Sequence, residues 1–173
     1  DSLNGLGNVC WEKGEYPTAI EYYTQSLETA QNIGDKFREE KNLNNLGLVY
    51  DILGQYENAI SHYKEALKIA RQIGNKRNEG NTLGNLGSVY RDLGQYENAI
   101  KYYKTSIEIA KQIGDKRSEG DNLGNVGNVY QDLGQYENAI SHYKEALQIN
   151  RQIGNKKSEG INLGNIGDLF LKL

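Results

Sequence analysis

The sequence has no methionine, one proline, one cysteine, one tryptophan and two phenylalanines among its 173 residues. A lone cysteine, Cys10, excludes an internal disulfide and fits a reducing compartment. No apolar run approaches the about 18 residues a membrane span needs, so no membrane partner is expected. Neither sign of charge dominates: 20 basic residues face 23 acidic ones, for a net charge of −3. That balance argues against nucleic acid or an anionic membrane surface as the main partner. The 37% apolar share is below the usual 45–50%, but that benchmark counts glycine. With the 20 glycines included, the share rises to roughly 48%, which excludes a disordered composition. No signal-peptide pattern opens the chain, and a cytoplasmic location is the expectation.

What is present is a repeat. Gln-Tyr-Glu-Asn-Ala-Ile occurs at 55–60, 95–100 and 135–140, a spacing of 40 residues. At that period Leu3, Leu43, Leu83, Leu123 and Leu163 fall in register, as do Gly7, Gly47, Gly87, Gly127 and Gly167. Four repeats (1–40, 41–80, 81–120, 121–160) and a partial fifth (161–173) form one array over residues 1–173, with no linker or second domain. Segments 41–80 and 121–160 agree at 30 of 40 positions, whereas 81–120 and 121–160 agree at only 25. Duplication of an 80-residue pair explains that difference, and it explains alternations such as Tyr22, His62, Tyr102, His142.

Each repeat reads as two helices. In the third, Leu83, Leu86, Val89, Tyr90 and Leu93 recur at helical spacing, then Tyr96, Ala99, Ile100, Tyr103, Ile107 and Ala110. Gly94 and Gly114 sit where a left-handed residue ends a helix, and Asp115 is placed as an N-cap. Helices are predicted near 76–93, 96–113, 116–133 and 136–153. Such units cannot bury their faces alone, so they must stack.

The order Leu83, Leu86, Gly87, Tyr90, Gly94, Tyr96, Ala99, Tyr103, Ser106 resembles the tetratricopeptide signature, and the match recurs over essentially the whole chain. Gly87 and Ala99 are small where two helices approach, with Tyr90 and Tyr103 filling the space between them. Two features depart from the common 34-residue form. Lys111 stands where a proline usually closes the second helix, and six extra residues carry Ile-Gly-Asp/Asn-Lys-x-x-Glu-Gly, as at 113–120. The longer module is similar to the extended repeats of the LGN/Pins group and of bacterial arrays. The resemblance implies an all-α, right-handed superhelical solenoid of antiparallel helix pairs, whose first helices line a groove that holds a protein or peptide segment.

By that geometry the groove receives positions 1, 4, 5, 8, 11 and 12 of each repeat. Position 5 supplies Asn45, Asn85, Asn125 and Asn165; position 8 supplies Asn8, Ser88 and Asn128; positions 1 and 11 add Lys41, Asn81 and Arg91. An asparagine amide both donates and accepts, so a repeated asparagine makes a ladder for an extended backbone. The competing reading is that these amides are solvated or bonded within the repeats. Glycine at position 4 (Gly84, Gly124, Gly164) costs roughly 1 kcal/mol of helix stability relative to alanine. Its presence points either to a ligand near the backbone or to close helix contact. Of the cationic carboxylate clamp found in some tetratricopeptide co-chaperones, only Lys41 is present.

Other sites are weaker. The 13 tyrosines fall mostly at core positions. His62 and His142 lie two repeats apart, about 20 Å at ~8–10 Å per packed helix, too far to share a metal. Cys10 reads as a small buried apolar residue. No phosphate loop, metal site, cofactor site or paired catalytic carboxylates are expected, and no enzyme. The expected function is a protein-interaction scaffold. The alternatives are a self-associating array, or a regulatory segment of a larger signalling protein. The last helix ends Leu169-Phe170-Leu171-Lys172-Leu173, and a face of Ile166, Leu169, Phe170 and Leu173 is expected to stay uncovered and to bind another chain, including a second copy, or a further second helix of a longer chain.

Overall fold

The computed structural model describes residues 2–172. Asp1, the first groove position, and Leu173, the end of the expected apolar face, lie outside the described residues. Among the described residues there are nine helices and no strand: α1 (Ser2–Glu12), α2 (Tyr16–Ile33), α3 (Lys36–Ile52), α4 (Tyr56–Gln72), α5 (Lys76–Asp92), α6 (Tyr96–Ile113), α7 (Lys116–Asp132), α8 (Tyr136–Gln152) and α9 (Lys156–Phe170). The all-α helix-pair class is the expected one, and α5 to α8 begin and end within one residue of their predicted limits.

The chain forms two compact units, one reaching to Asn85 and the other beginning at Leu86, inside α5. In the first, α1 packs on α2, α2 on α3 and α3 on α4. In the second, α6 packs on α7, α7 on α8 and α8 on α9.

Short turns make each helix the antiparallel neighbour of the next. Gly34 and Gly114 sit at φ 72°, a left-handed conformation that costs glycine nothing, and each closes a second helix. Asp35, Asp115 and Asn155 then accept a hydrogen bond from the backbone N–H three residues on, capping the following helix. The lengthened module is a clamp at this corner. Lys76 and, from the preceding helix, Arg71 both donate to Glu79 at 2.7 and 2.8 Å; Lys156 and Arg151 do the same to Glu159 at 2.9 Å. At the opposite corner Gln55, Gln95 and Gln135 accept from Asn58, Asn98 and Asn138, which accounts for the recurring Gln-Tyr-Glu-Asn.

Inside each pair a tyrosine ring lies against a glycine. Tyr23, Tyr63, Tyr103 and Tyr143 are all at most 2% exposed. A β-carbon on Gly7, Gly47, Gly87 or Gly127 would sit 2.6–2.7 Å from their rings. Burying such side chains is worth about 1.5–3 kcal/mol each, provided the helices come this close. The Tyr/His alternation also has a packing role: His62 and His142 lie 5.1 Å from the rings of Tyr50 and Tyr130, and Tyr102 stacks on Tyr90 at 5.2 Å. Cys10 is buried, as expected.

The C-terminal face divides. Leu169 is fully buried against Ala139, Ile140 and Tyr143, with Ile166 half-buried beside it. That pair covers α8 instead of standing spare. Phe170 and Leu171 remain exposed, together with Leu163, whose counterparts Leu43, Leu83 and Leu123 are buried.

Candidate functional site

The first helices carry two rows of polar side chains, and the structure gives the rows different tasks. Position 4 faces the next repeat. Asn4 is buried and donates to Asn42 at 2.8 Å, and Thr82 donates to Asn44 at 2.9 Å. Asn122, at position 2, donates to Ser106 of the preceding repeat at 3.0 Å. Gly124 leaves room for a neighbour: a β-carbon there would meet Asn162 Oδ1 at 3.5 Å. Position 8 serves the core. Tyr23 donates to Asn8 at 2.8 Å, Tyr143 to Asn128 at 2.7 Å, and Ser88 lies 2.9 Å from the Tyr103 hydroxyl. In the second repeat position 8 is Leu48, and the buried hydroxyl of Tyr63 has no hydrogen-bond partner. Burial pushes the Tyr143 phenol up to about 12. Arg91 pairs with Asp132 at 2.6 Å.

The remaining predicted residues gather in two clefts, one within each unit. In the first unit Lys41, Asn45, Asn81 and Asn85 line a cleft of about 230 Å³ with Glu40, Asn44, Leu48 and Asn78. In the second unit Asn125, Asn128 and Asn165 line one of about 220 Å³ with Asp121, Asn150, Ser158, Ile161 and Asn162. Asn8, Ser88 and Arg91 line neither cleft. Asn45 reaches Asn8, donating at 3.4 Å.

Each residue lining the first cleft has a counterpart lining the second at an offset of 80 residues, the length of the duplicated pair, and Asn150 and Asn162 line the second alone. Lys41 corresponds to Asp121, Asn45 to Asn125, Asn78 to Ser158 and Asn85 to Asn165. Their electrostatics differ. The first holds a fully buried carboxylate, Glu40, which accepts hydrogen bonds from Asn44 and from Asn78 (2.6 Å). Burial raises the Glu40 carboxyl above its ordinary range against the pull of those two amides. The second holds Asp121, also raised by burial, with Ser158 donating at 3.4 Å.

Glu40, Asn78, Asn150 and Asn162 are cleft residues that lie outside the predicted groove positions. The signal for two of them is in the repeat columns. Glu40 stands where Gly80, Gly120 and Gly160 follow, and Asn150 stands where Ala30, Ala70 and Ala110 precede. Among the described residues no group of three or more His, Cys, Asp or Glu side chains is placed to hold a metal ion. No helix is long and apolar enough to cross a membrane.

Stacked helix pairs of this form occur in several solved proteins. An apo form of RapI superposes with a TM-score of 0.89 at 20% identity, over 98% of this chain and 62% of that one. A signal transduction ATPase with numerous domains and a tetratricopeptide repeat sensor, from Pyrococcus horikoshii, gives 0.88 at 22% identity, over 98% and 26%. BtubC from P. vanneervenii gives 0.86 at 20% identity, over 97% and 70%. At such identities the likeness is one of fold, and the chain spans 26% to 70% of the length of these proteins. No curated protein sequence is significantly similar. The profile of the tetratricopeptide repeat matches residues 1–72, 38–112, 78–121 and 118–173. The glycine–tyrosine contact in every complete helix pair and a profile match along the whole length lead to one conclusion: the chain belongs to the tetratricopeptide repeat family.

Proposed function

We propose that this chain is a protein-interaction module that holds an extended partner segment through the side-chain amides of its first helices. One observation carries the reading: each unit has an asparagine-lined cleft, with Asn45 and Asn85 of the first matched by Asn125 and Asn165 of the second. Asn45, Asn81 and Asn85 in one unit, and Asn125 and Asn165 in the other, supply donors and acceptors suited to peptide C=O and N–H groups. Lys41 adds one cation to the first cleft. Asn8, Ser88 and Asn128 support the groove from behind by bonding tyrosine hydroxyls, and Arg91 pairs with Asp132. The fold relatives agree with this reading: one Rap protein was solved in complex with Competence and Sporulation Factor, with a TM-score of 0.81 at 19% identity, over 98% of this chain and 48% of that one.

The test uses peptides selected from a random display library on the immobilised protein. Each amide pair lost costs about 1 kcal/mol, close to fivefold in affinity. Asn45→Ala/Asn85→Ala, or Asn125→Ala/Asn165→Ala, is expected to weaken selected peptides roughly 10- to 30-fold by that arithmetic. Unchanged affinity in both double variants for every selected peptide would sink the ladder.

A second reading, self-association, rests on α9, where Leu163 and Phe170 are 45% and 58% exposed.

A further inference from the structure

The two clefts differ at several corresponding positions, and four of the differences form one pattern. In the first unit a side chain of the chain itself builds part of the cleft wall: Glu40, at the end of the first repeat, is gripped by Asn44 and Asn78. Eighty residues on, Glu40 becomes Gly120, Asn44 becomes Gly124 and Asn78 becomes Ser158. Both the carboxylate and its two amides are gone. At the same time the wall changes: Ala70 becomes Asn150.

Asn150 is 0% exposed, and neither its Nδ2 nor its Oδ1 has a hydrogen-bond partner in the chain. It lines the cleft of about 220 Å³. Buried carboxamides in folded proteins are almost always paired, so this one marks a place where a partner group belongs. Gly120 keeps that place open, since a β-carbon there would come within 3.3 Å of Asn150 Oδ1.

The missing group has to donate and accept. Asn150 presents a donor and an acceptor side by side. Lysine and arginine accept nothing and would leave Nδ2 unmatched; a carboxylate donates nothing and would leave Oδ1 unmatched. A carboxylate would also meet Asp121, which stands where the first cleft has Lys41. Of the groups that both donate and accept, hydroxyls and backbone amides included, a carboxamide sets its donor and acceptor at the same spacing as those of Asn150. Glutamine has the length and planar end of Glu40, the group that fills the equivalent space in the first unit.

We infer that the second cleft takes a glutamine side chain from the partner segment, seated against Asn150 in the space that Glu40 fills in its counterpart. The inference rests on the interaction-module reading and adds an anchor residue to it.

The experiment follows the side-chain amide resonance of Asn150, assigned by its loss in Asn150→Ala, while N-acetyl-glutamine methylamide is titrated to its solubility limit. The matching leucine and glutamate compounds serve as controls. Asn150→Ala restores the residue of the other three repeats, so it is expected to fold and to melt no lower than the parent. A saturable shift with the glutamine compound, at least tenfold weaker for both controls, is the expected result. Cleft resonances of Asn125 and Asn165 should follow the same curve in the parent and stay still in Asn150→Ala. No saturable shift, an equal response to leucine, or a response that survives Asn150→Ala would overturn the inference. The outcomes separate from those of the ladder. Library peptides that bind through Asn125 and Asn165 with no preference for glutamine refute the anchor alone. A glutamine response without any selected peptide refutes the module alone.

Discussion

Glu40 shows how one substitution in a repeat column changes the physics of a site. Three counterparts are glycine, yet here a carboxylate is fully buried and held by two asparagine amides. Its raised pKa means that the folded chain binds the proton more tightly than the unfolded chain does. Its contribution to stability is therefore fully present at pH values below the ordinary 4.5 and is lost as pH rises through the raised folded value. Glu79 has the opposite sign. Burial raises its carboxyl, but hydrogen bonds from Lys76 and Arg71 and their charges outweigh this, and the net shift is downward. Its contribution is present above the unfolded pKa and is lost on acidification. Urea unfolding of the parent and Glu40→Gln across a pH series isolates the first effect. The stability of Glu40→Gln relative to the parent is expected to increase as pH rises from below 4.5 towards neutrality. A difference that stays constant with pH would show that Glu40 is not buried as described.

At the scale of the helix, each glycine at position 7 is defined by the partner helix and not by its own turn of backbone. Gly127→Ala puts a β-carbon 2.6 Å from the Tyr143 ring and is expected to destabilise by ~1–3 kcal/mol through overpacking. Gly167 occupies the same column on α9 with nothing within 4 Å, so Gly167→Ala should stabilise by up to ~1 kcal/mol through helix propensity alone. Chemical denaturation of the two variants reads opposite signs; matching signs would refute the pairing. Tyr143→Ala, which empties the same space, should cost ~3–5 kcal/mol. These helices were legible in the sequence because turn glycines, caps and apolar spacing are local chemistry, and the repeat states them four times. The partition of the polar rows was less legible. Whether position 4 or position 8 faces solvent, the next repeat or a tyrosine hydroxyl depends on how one pair is rotated on another, and a 40-residue period contains no such angle. Asn4 and Asn128 are therefore bonded inside the chain although their column reads as groove. Asn150 sits on a second helix, outside every groove column, and only its departure from alanine signals it.

At the scale of the whole molecule, the proposed self-association makes its own prediction at the exposed apolar residues of α9. Leu163 and Phe170 are expected to drive concentration-dependent self-association, measured by sedimentation equilibrium. Leu163→Asp/Phe170→Asp should shift the chain towards monomer without changing its helical content. A parent that stays monomeric at the highest concentration, or a variant that associates equally well, would refute this role. A different consequence follows from the turns. Left-handed glycines stand at 14, 34, 54, 74, 94, 114, 134 and 154, one every 20 residues. Segments 41–80 and 121–160 agree at 30 of 40 positions, so gain or loss of an 80-residue unit leaves the repeat pattern in register. Every turn keeps its glycine and every helix its neighbour type after such an event. The unit of inheritance is then a complete cleft, and relatives of this chain should differ in how many clefts they carry before they differ in how any one is built.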